Sequence, residues 1–160
     1  MKIEAKLDEM GLFLPEPVRL PPGVEPNFAW VRVGGDRAYI SGHGPLDPDG
    51  SPAAPFGKVG AEVSPEEGYE AARLTGLAIL SSLKRELGDL DRVEAWLSVH
   101  GMVNAAPDFT ATTNVINGFS DLILAVYGGE AGMHARAAVG MATLPLGLPV
   151  VISAETKISA

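Results

Sequence analysis

The sequence predicts an α/β fold of the α+β type, a two-layer sandwich in which two helices cover one face of a mixed sheet. The predicted elements follow the order β-hairpin, helix, strand, helix, strand, strand. One layer of helices leaves the second sheet face open, although this face carries Val, Ile and Ala side chains, so we expect other subunits to cover it. The length of 160 residues indicates one domain, 1–160. It divides into a helix and proline-rich lead-in, 1–25, and a core, 26–160.

The first elements are short. Residues 2–10 predict a short amphipathic helix that Gly11 ends. Five prolines between Leu14 and Asn27 indicate an extended connector, because proline fixes the backbone and removes a donor. The runs Ala29–Val33 and Arg37–Gly42 flank "GGD" and therefore predict a β-hairpin.

The segment "SPEEGYEAARLTGLAILSSLKRELGD" gives the clearest helix. Ser64 fits the N-cap, Pro65 the first helical position, and Glu67 completes a capping box. Gly88 ends the helix. Three- and four-residue spacing places one apolar face on Tyr69, Ala72, Gly76, Leu80, Leu83 and Leu87.

Strands and a weaker helix follow. "RVEAWLSVHGMVN" predicts a half-buried strand whose residues alternate: Val93, Ala95, Leu97 and Val99 against Glu94, Trp96, Ser98 and His100. "PDFTATTNVINGFSDLILAVYGG" predicts a helix that begins at Pro107 or Asp108 and closes at Gly128, although β-branched residues and Asn117–Gly118 weaken it. "HARAAVGMATLP" and "PVVISAETKI" read as the last two strands.

His134 and Arg136 stand at the entrance of a strand of small residues, and they form the first candidate site. Two residues apart on an extended backbone, they point the same way. A guanidinium binds a carboxylate bidentately, and Ala138 and Gly140 on the same face would leave room for a ligand. The alternatives are a surface Arg at a strand end and a His that caps the strand through a backbone carbonyl.

Further polar candidates are spread over the chain. His43 follows a strand in "SGHGP", where loop residues often carry function. His100 is expected to be exposed or at an interface, and no histidine pattern indicates a metal site. Asn114 and Asn117 share a helix face, either for a function or for an interfacial or capping hydrogen bond.

Two residues of the last strand are weaker candidates. Ser153 and Glu155 have the same parity, opposite to Ile152 and Ala154. Glu155 could act as a general base, or it could be the solvated side of an edge strand.

Composition excludes several classes of protein. The chain has no cysteine, so disulfides, thiolate catalysis and Cys-ligated zinc are excluded. A net charge of −8 without a basic stripe disfavours nucleic-acid binding. No apolar run approaches the roughly 20 residues of a membrane span, and the charged N-terminus lacks a secretory signal, so we expect a cytoplasmic protein. GxGxxG, P-loop and GxSxG motifs are absent.

Four quoted stretches together resemble the RidA family, also called YjgF or L-PSP endoribonuclease-like. They are "AYISGHGPLDPDG", "GKVGAEVSPEEGYEAARLTGLAIL", "LGDLDRVEAWLSVHGMVNAAPDF" and "HARAAVGMATLPLGLPVVISAE". The resemblance spans about residues 25–156. It is closest to a longer branch with an N-terminal helix and an "HARSAVG"-like signature.

The resemblance implies a chorismate-mutase-like fold and a homotrimer with pockets at the subunit interfaces. It also implies hydrolysis of reactive enamine or imine intermediates to 2-keto acids and ammonia, without a cofactor or metal. Arg136 matches the family arginine that binds the substrate carboxylate. Asn117 matches an Asn that helps to line the pocket, Phe28 falls near an aromatic position, and backbone groups near Gly42 line the same cleft. His134 belongs to the branch signature.

The sequence departs from the family at the positions nearest the chemistry. Active deaminases carry a Glu in the final strand, where this chain has Ser153. A Ser cannot act as a carboxylate base at neutral pH, but it could position water by hydrogen bonds. "SGH" replaces "SGQ" and introduces His43, while Ala137 removes a hydroxyl. Two hypotheses remain: an enamine/imine deaminase that uses Arg136 with Ser153 or His43, and a non-catalytic trimer that binds a small carboxylate metabolite.

Overall fold

The computed structural model describes all residues from Met1 to Ala160. It contains three α-helices and five strands. In chain order they are α1 (Lys2–Glu9), β1 (Val31–Gly34), β2 (Arg37–His43), α2 (Pro65–Leu87), β3 (Val93–Asn104), α3 (Thr112–Gly132), β4 (Ala135–Met141) and β5 (Val150–Ile158). Short 3₁₀ turns precede β3 and β5.

The five strands form one mixed sheet in the order β1-β2-β5-β3-β4. Strands β3 and β4 run parallel because α3 connects them, and all other neighbours are antiparallel. Helices α2 and α3 pack on the same face. The predicted fold class is therefore confirmed, and β4 lies at one edge of the sheet with its second hydrogen-bonding side free.

Helix α2 begins and ends as predicted. The Ser64 hydroxyl accepts from the Glu67 backbone N–H, and the Glu67 carboxylate accepts from the Ser64 N–H. Gly88 ends the helix in the left-handed conformation. The predicted apolar face is buried except for Tyr69, which was wrongly placed in the core. Its ring is exposed and its hydroxyl donates to Asp121 of α3 at 2.7 Å.

The strict alternation predicted for β3 is wrong in its middle. The pairing of β3 with β5 shifts register between Trp96 and Ser98, so the strand contains a bulge. Trp96 consequently faces the helices, 1% exposed, whereas Leu97 is only half-buried. Trp96 packs edge-on against Phe119 at 5.8 Å between ring centroids.

Both predicted ends of α3 need correction. After β3 the chain forms an isolated β-bridge between Ala105 and Val59, in which the Ala106 N–H donates to the Val59 carbonyl oxygen. The helix therefore begins only at Thr112. Gly128 takes a positive φ of 84° and interrupts the helix, which resumes for a last turn to Gly132. Gly118 has a packing role, because a Cβ there would lie 2.0 Å from the carbonyl oxygen of Tyr69 on α2.

A single hydrophobic core of 28 residues lies between the sheet and the helices. Helix α1 belongs to it through Leu7, which is 2% exposed. None of the helices combines the length and apolar character that crossing a membrane requires.

Candidate functional site

His134 and Arg136 meet at one serine of helix α3. Arg136 pairs with Val99 on β3, and Val99 lies under the helices, so the Arg136 side chain lies on the helix-covered side. Its Nη1 donates to Ser120 Oγ at 3.0 Å and to Asn117 Oδ1 at 2.9 Å. His134 Nε2 lies 2.8 Å from the same Ser120 Oγ. We name His134, Ser120 and Arg136 the edge cluster.

The partners of the edge cluster fix its hydrogen-bond directions. His134 Nδ1 lies 2.8 Å from the Gly132 carbonyl oxygen, which can only accept, so Nδ1 carries a proton. In the neutral ring Nε2 therefore accepts from the Ser120 hydroxyl, whose oxygen in turn accepts from Arg136. Arg136 forms no salt bridge, so its guanidinium is held in place by neutral groups and keeps its charge for a ligand.

A cleft of about 650 Å³ lies between the proline-rich segment, the end of β2 and helix α2. Apolar and aromatic side chains dominate its walls, among them Phe28 and Trp30, which pack edge-on with ring centroids 5.0 Å apart. Gly42 lies at its wall, and a Cβ there would come within 2.8 Å of the Val151 side chain. This volume is in the range of ordinary small-molecule sites.

His43 belongs to this cleft and is 5% exposed. Its Nδ1 lies 2.6 Å from the Ser41 carbonyl oxygen, and its Nε2 lies 2.9 Å from Ser82 Oγ on α2. Arg85 Nη2 donates to the same Ser82 Oγ at 3.2 Å. We name His43, Ser82 and Arg85 the cleft cluster.

Burial lowers the pKa of His43 to about 4, so the ring is neutral at pH 7. The Ser41 carbonyl requires a proton on Nδ1, and Nε2 then accepts from the Ser82 hydroxyl. Neither ring nitrogen is left free to hold a water molecule in this arrangement. The positive charge of Arg85 lowers the pKa of His43 further.

The structure separates the predicted site residues into groups. Arg136, Asn117 and His134 lie together at the edge cluster, and none of them lines the cleft. Phe28, Gly42 and His43 lie together at the cleft.

Ser153 lies in neither group. It pairs with His100, the neighbour of Val99, and is half-buried on the open sheet face, whereas Arg136 lies on the other side. One subunit therefore does not bring Ser153 to Arg136. Glu155 also faces the open side, where Arg37 lies 4.0 Å away.

Three residues of the two clusters were missed: Ser82, Arg85 and Ser120. Serine is a poor residue for a helix interior because its hydroxyl competes for backbone groups. The pair Ser81–Ser82 inside the last third of α2, with Arg85 one turn later, is therefore the signal that could have found the cleft cluster. Asn114 is exposed and takes no part in either cluster.

One acidic group has the spacing of metal ligands. Oxygen atoms of Glu4, Asp89 and Asp91 lie within 4.8 Å of one another. Lys84 donates to Glu4 at 2.8 Å, and the Lys2 and Ile3 backbone N–H groups donate to Asp91. Glu4 and Asp91 thus serve the attachment of α1 to the core, and Asp89 caps the 3₁₀ turn before β3 by accepting from the Asp91 N–H.

Comparisons with known proteins agree on one group. Residues 4–154 match the model of the family described as "YjgF/chorismate mutase-like, putative endoribonuclease". The protein TCP17 of Trypanosoma cruzi is 36% identical over 160 residues, which cover 99% of this chain and 95% of TCP17.

Solved structures share the fold along the whole chain. A protein of unknown function from Agrobacterium tumefaciens is 37% identical, with a TM-score of 0.85 and coverage of 99% of this chain and 92% of its own. A "putative endoribonuclease" from Shewanella oneidensis is 29% identical, with a TM-score of 0.87 and coverage of 98% and 99%. TdcF of E. coli, solved with bound serine, is 16% identical with a TM-score of 0.59 over 90% of this chain and 99% of its own, and shares the fold.

Proposed function

The chain belongs to the YjgF/chorismate mutase-like family, and on this premise we propose that it hydrolyses reactive 2-imino or 2-enamino acids to 2-keto acids and ammonia. The observation that carries the proposal is Arg136. Its guanidinium is fixed by Asn117 and Ser120 and has no carboxylate partner within the chain. Such a group is suited to hold the carboxylate that every substrate of this class carries.

The reaction needs little beyond positioning. Water adds to the imine carbon of R–C(=NH)–COO⁻, and the resulting carbinolamine expels ammonia to leave R–C(=O)–COO⁻. Arg136 holds the carboxylate and orients the neighbouring imine carbon for attack. The Ser153 hydroxyl, which makes no hydrogen bond within the chain, is the group we assign to the attacking water.

This assignment requires more than one subunit. Ser153 and Arg136 lie on opposite sides of the sheet in one chain. We therefore propose a homotrimer in which Arg136 of one subunit faces Ser153 on the open sheet face of the next. Tyr39 and Val139, exposed by 44% and 39%, are apolar groups of the open side that a neighbouring subunit would cover.

The experiment supplies 2-aminoacrylate, generated in the assay, and follows the release of pyruvate. We expect the wild type to exceed the uncatalysed rate and Arg136→Gln to lose at least tenfold in kcat/KM. Arg73→Gln is the matched control, because Arg73 lies on α2, in the helix layer away from the open sheet face, and its guanidinium bonds only the exposed Glu70. Wild-type protein that gives no more than the uncatalysed rate would contradict the deaminase proposal.

A non-catalytic function is the second candidate, and Ser153 favours it, since a hydroxyl replaces the carboxylate base of active deaminases. The protein would then bind small keto acids without converting them. Calorimetric titration of pyruvate into the wild type and Arg136→Gln tests this function. Equal affinity of the two proteins would rule it out.

A further inference from the structure

We infer that the cleft is a second carboxylate-binding site, in which Arg85 binds the carboxylate of a small aromatic monocarboxylate whose ring occupies the apolar part of the cleft. The inference does not depend on the deaminase reaction or on Arg136. It rests on the hydrogen bonds of Arg85, the composition of the cleft walls and the charges around them.

Arg85 is held in place but has unused donors. Nη1 donates to Ser81 Oγ at 2.6 Å and Nη2 to Ser82 Oγ at 3.2 Å, and both acceptors are neutral hydroxyls. The Ser81 hydroxyl in turn donates to the Pro15 carbonyl, which ties the guanidinium to the proline-rich segment. A guanidinium has five N–H groups, so most of its donors remain for a ligand.

No carboxylate of the chain neutralises this guanidinium. Glu25 and Glu86 also line the cleft, but neither lies within 4.0 Å of Arg85. Burial lowers the pKa of Arg85, and the more distant charge of Glu16 raises it by a smaller amount. The carboxylates of Glu16, Glu25 and Glu86 would repel a polyanion such as a nucleotide, so a ligand with a single negative charge fits best.

The rest of the cleft is suited to an aromatic ring. From Arg85 the wall continues through Ser82 and His43 to Trp30, whose ring centroid lies 5.1 Å from that of His43, and then to Phe28. Phe28 is 53% exposed, so a large part of its ring is available to a ligand. The ring of a ligand at the same spacing would extend this edge-to-face series, with the carboxylate of the ligand directed towards Arg85.

The test uses 3-phenylpropionate as the ligand and 3-phenylpropanamide as its neutral control. The chain has two tryptophans, Trp30 in the cleft and Trp96 in the core, so their indole N–H signals in a ¹⁵N-labelled sample locate the binding. We expect 3-phenylpropionate to shift the Trp30 signal and not the Trp96 signal. The amide should bind at least tenfold more weakly, because it lacks the charge that Arg85 recognises.

Variants then separate the two arginines. Arg85→Gln should weaken binding of 3-phenylpropionate at least tenfold, and Arg85→Lys, which keeps the charge, should retain the preference for the carboxylate over the amide. Arg136→Gln should bind as the wild type does, even if it loses deaminase activity. Equal affinity of Arg85→Gln and wild type, equal binding of the amide, or loss of binding in Arg136→Gln alone would overturn the inference. So would the absence of any shift at roughly 10 mM ligand.

Discussion

The cleft cluster and the edge cluster contain the same three side chains in the same pattern, but in different surroundings. In each, a histidine Nδ1 donates to the backbone carbonyl two residues earlier, and Nε2 meets a helix serine that also accepts from an arginine. Each imidazole packs edge-on against an aromatic ring, Trp30 or Phe119. The shared pattern shows that the serine is the element that joins the imidazole to the guanidinium.

The difference lies in burial and in neighbouring space. His43 is buried at the wall of a large apolar cleft, whereas His134 is half-buried beside an edge strand. Arg136 has an additional side-chain acceptor, Asn117, and Arg85 has a second hydroxyl, Ser81. The edge cluster is therefore suited to a ligand that a second subunit completes, and the cleft cluster to a ligand that one subunit encloses.

The largest expected effect is the pH dependence that His43 introduces. Its pKa is about 4 in the folded protein and about 6.5 in the unfolded chain, so the unfolded state binds a proton first as the pH falls. The contribution of neutral His43 to the unfolding free energy is thus fully present above pH 6.5, and it is lost progressively as the pH falls towards 4. The full difference corresponds to about 3 kcal/mol of unfolding free energy.

His43→Gln provides the control, because glutamine keeps one donor and one acceptor but does not titrate. Urea denaturation between pH 7 and 4.5 measures the effect, and this window lies above the range in which Asp91, with a pKa of about 2, takes up its proton. The variant should lose most of the pH dependence. A wild type and a variant with the same dependence would show that His43 is not buried in its neutral form.

The next effect compares the two serines. Ser82→Ala leaves the buried His43 Nε2 without a donor and should cost about 2 kcal/mol of unfolding free energy. Ser120→Ala should cost roughly 1 kcal/mol or less of unfolding free energy. Water can reach the half-buried His134 in this variant, and Arg136 retains its hydrogen bond to Asn117. Urea denaturation at pH 7 measures both.

Ser98→Ala, at an exposed position of β3, should change the unfolding free energy by no more than about 0.5 kcal/mol. If Ser120→Ala costs as much as Ser82→Ala, burial does not distinguish the two clusters.

The sequence predicts the fold better than it predicts the clusters, for physical reasons. Capping residues and hydrophobic spacing act locally, so α2 was predicted at its true ends from Ser64 and Gly88. The bulge in β3 depends on how β5 pairs with it, and no local pattern reports that pairing. Periodicity likewise could not show that the chain before Thr112 is held to Val59.

The clusters were predicted only in part because their members are distant in sequence. His134 and Arg136 are two residues apart and share a face, so the strand pattern was sufficient to join them. Ser82 lies 39 residues after His43, and only the packing of α2 on the sheet brings the two together. Arg85 becomes a candidate through that contact, since on its own it is one more basic residue of a helix.

A small effect on stability and a larger one on KM are expected for Asn117, the acceptor that the edge cluster has and the cleft cluster lacks. Asn117→Ala removes one hydrogen bond to Arg136 and should lower the unfolding free energy by about 1 kcal/mol or less. If Arg136 anchors the substrate carboxylate, the looser guanidinium should raise KM severalfold with a smaller change in kcat. Asn114→Ala, one turn earlier and exposed, is the matched control and should change neither quantity. Steady-state kinetics with 2-aminoacrylate is the measurement. An unchanged KM in Asn117→Ala would mean that Ser120 and the Thr113 carbonyl, which accepts from Nη2 at 3.4 Å, position the arginine without Asn117. The edge cluster would then hold its guanidinium, as the cleft cluster does, without a side-chain amide.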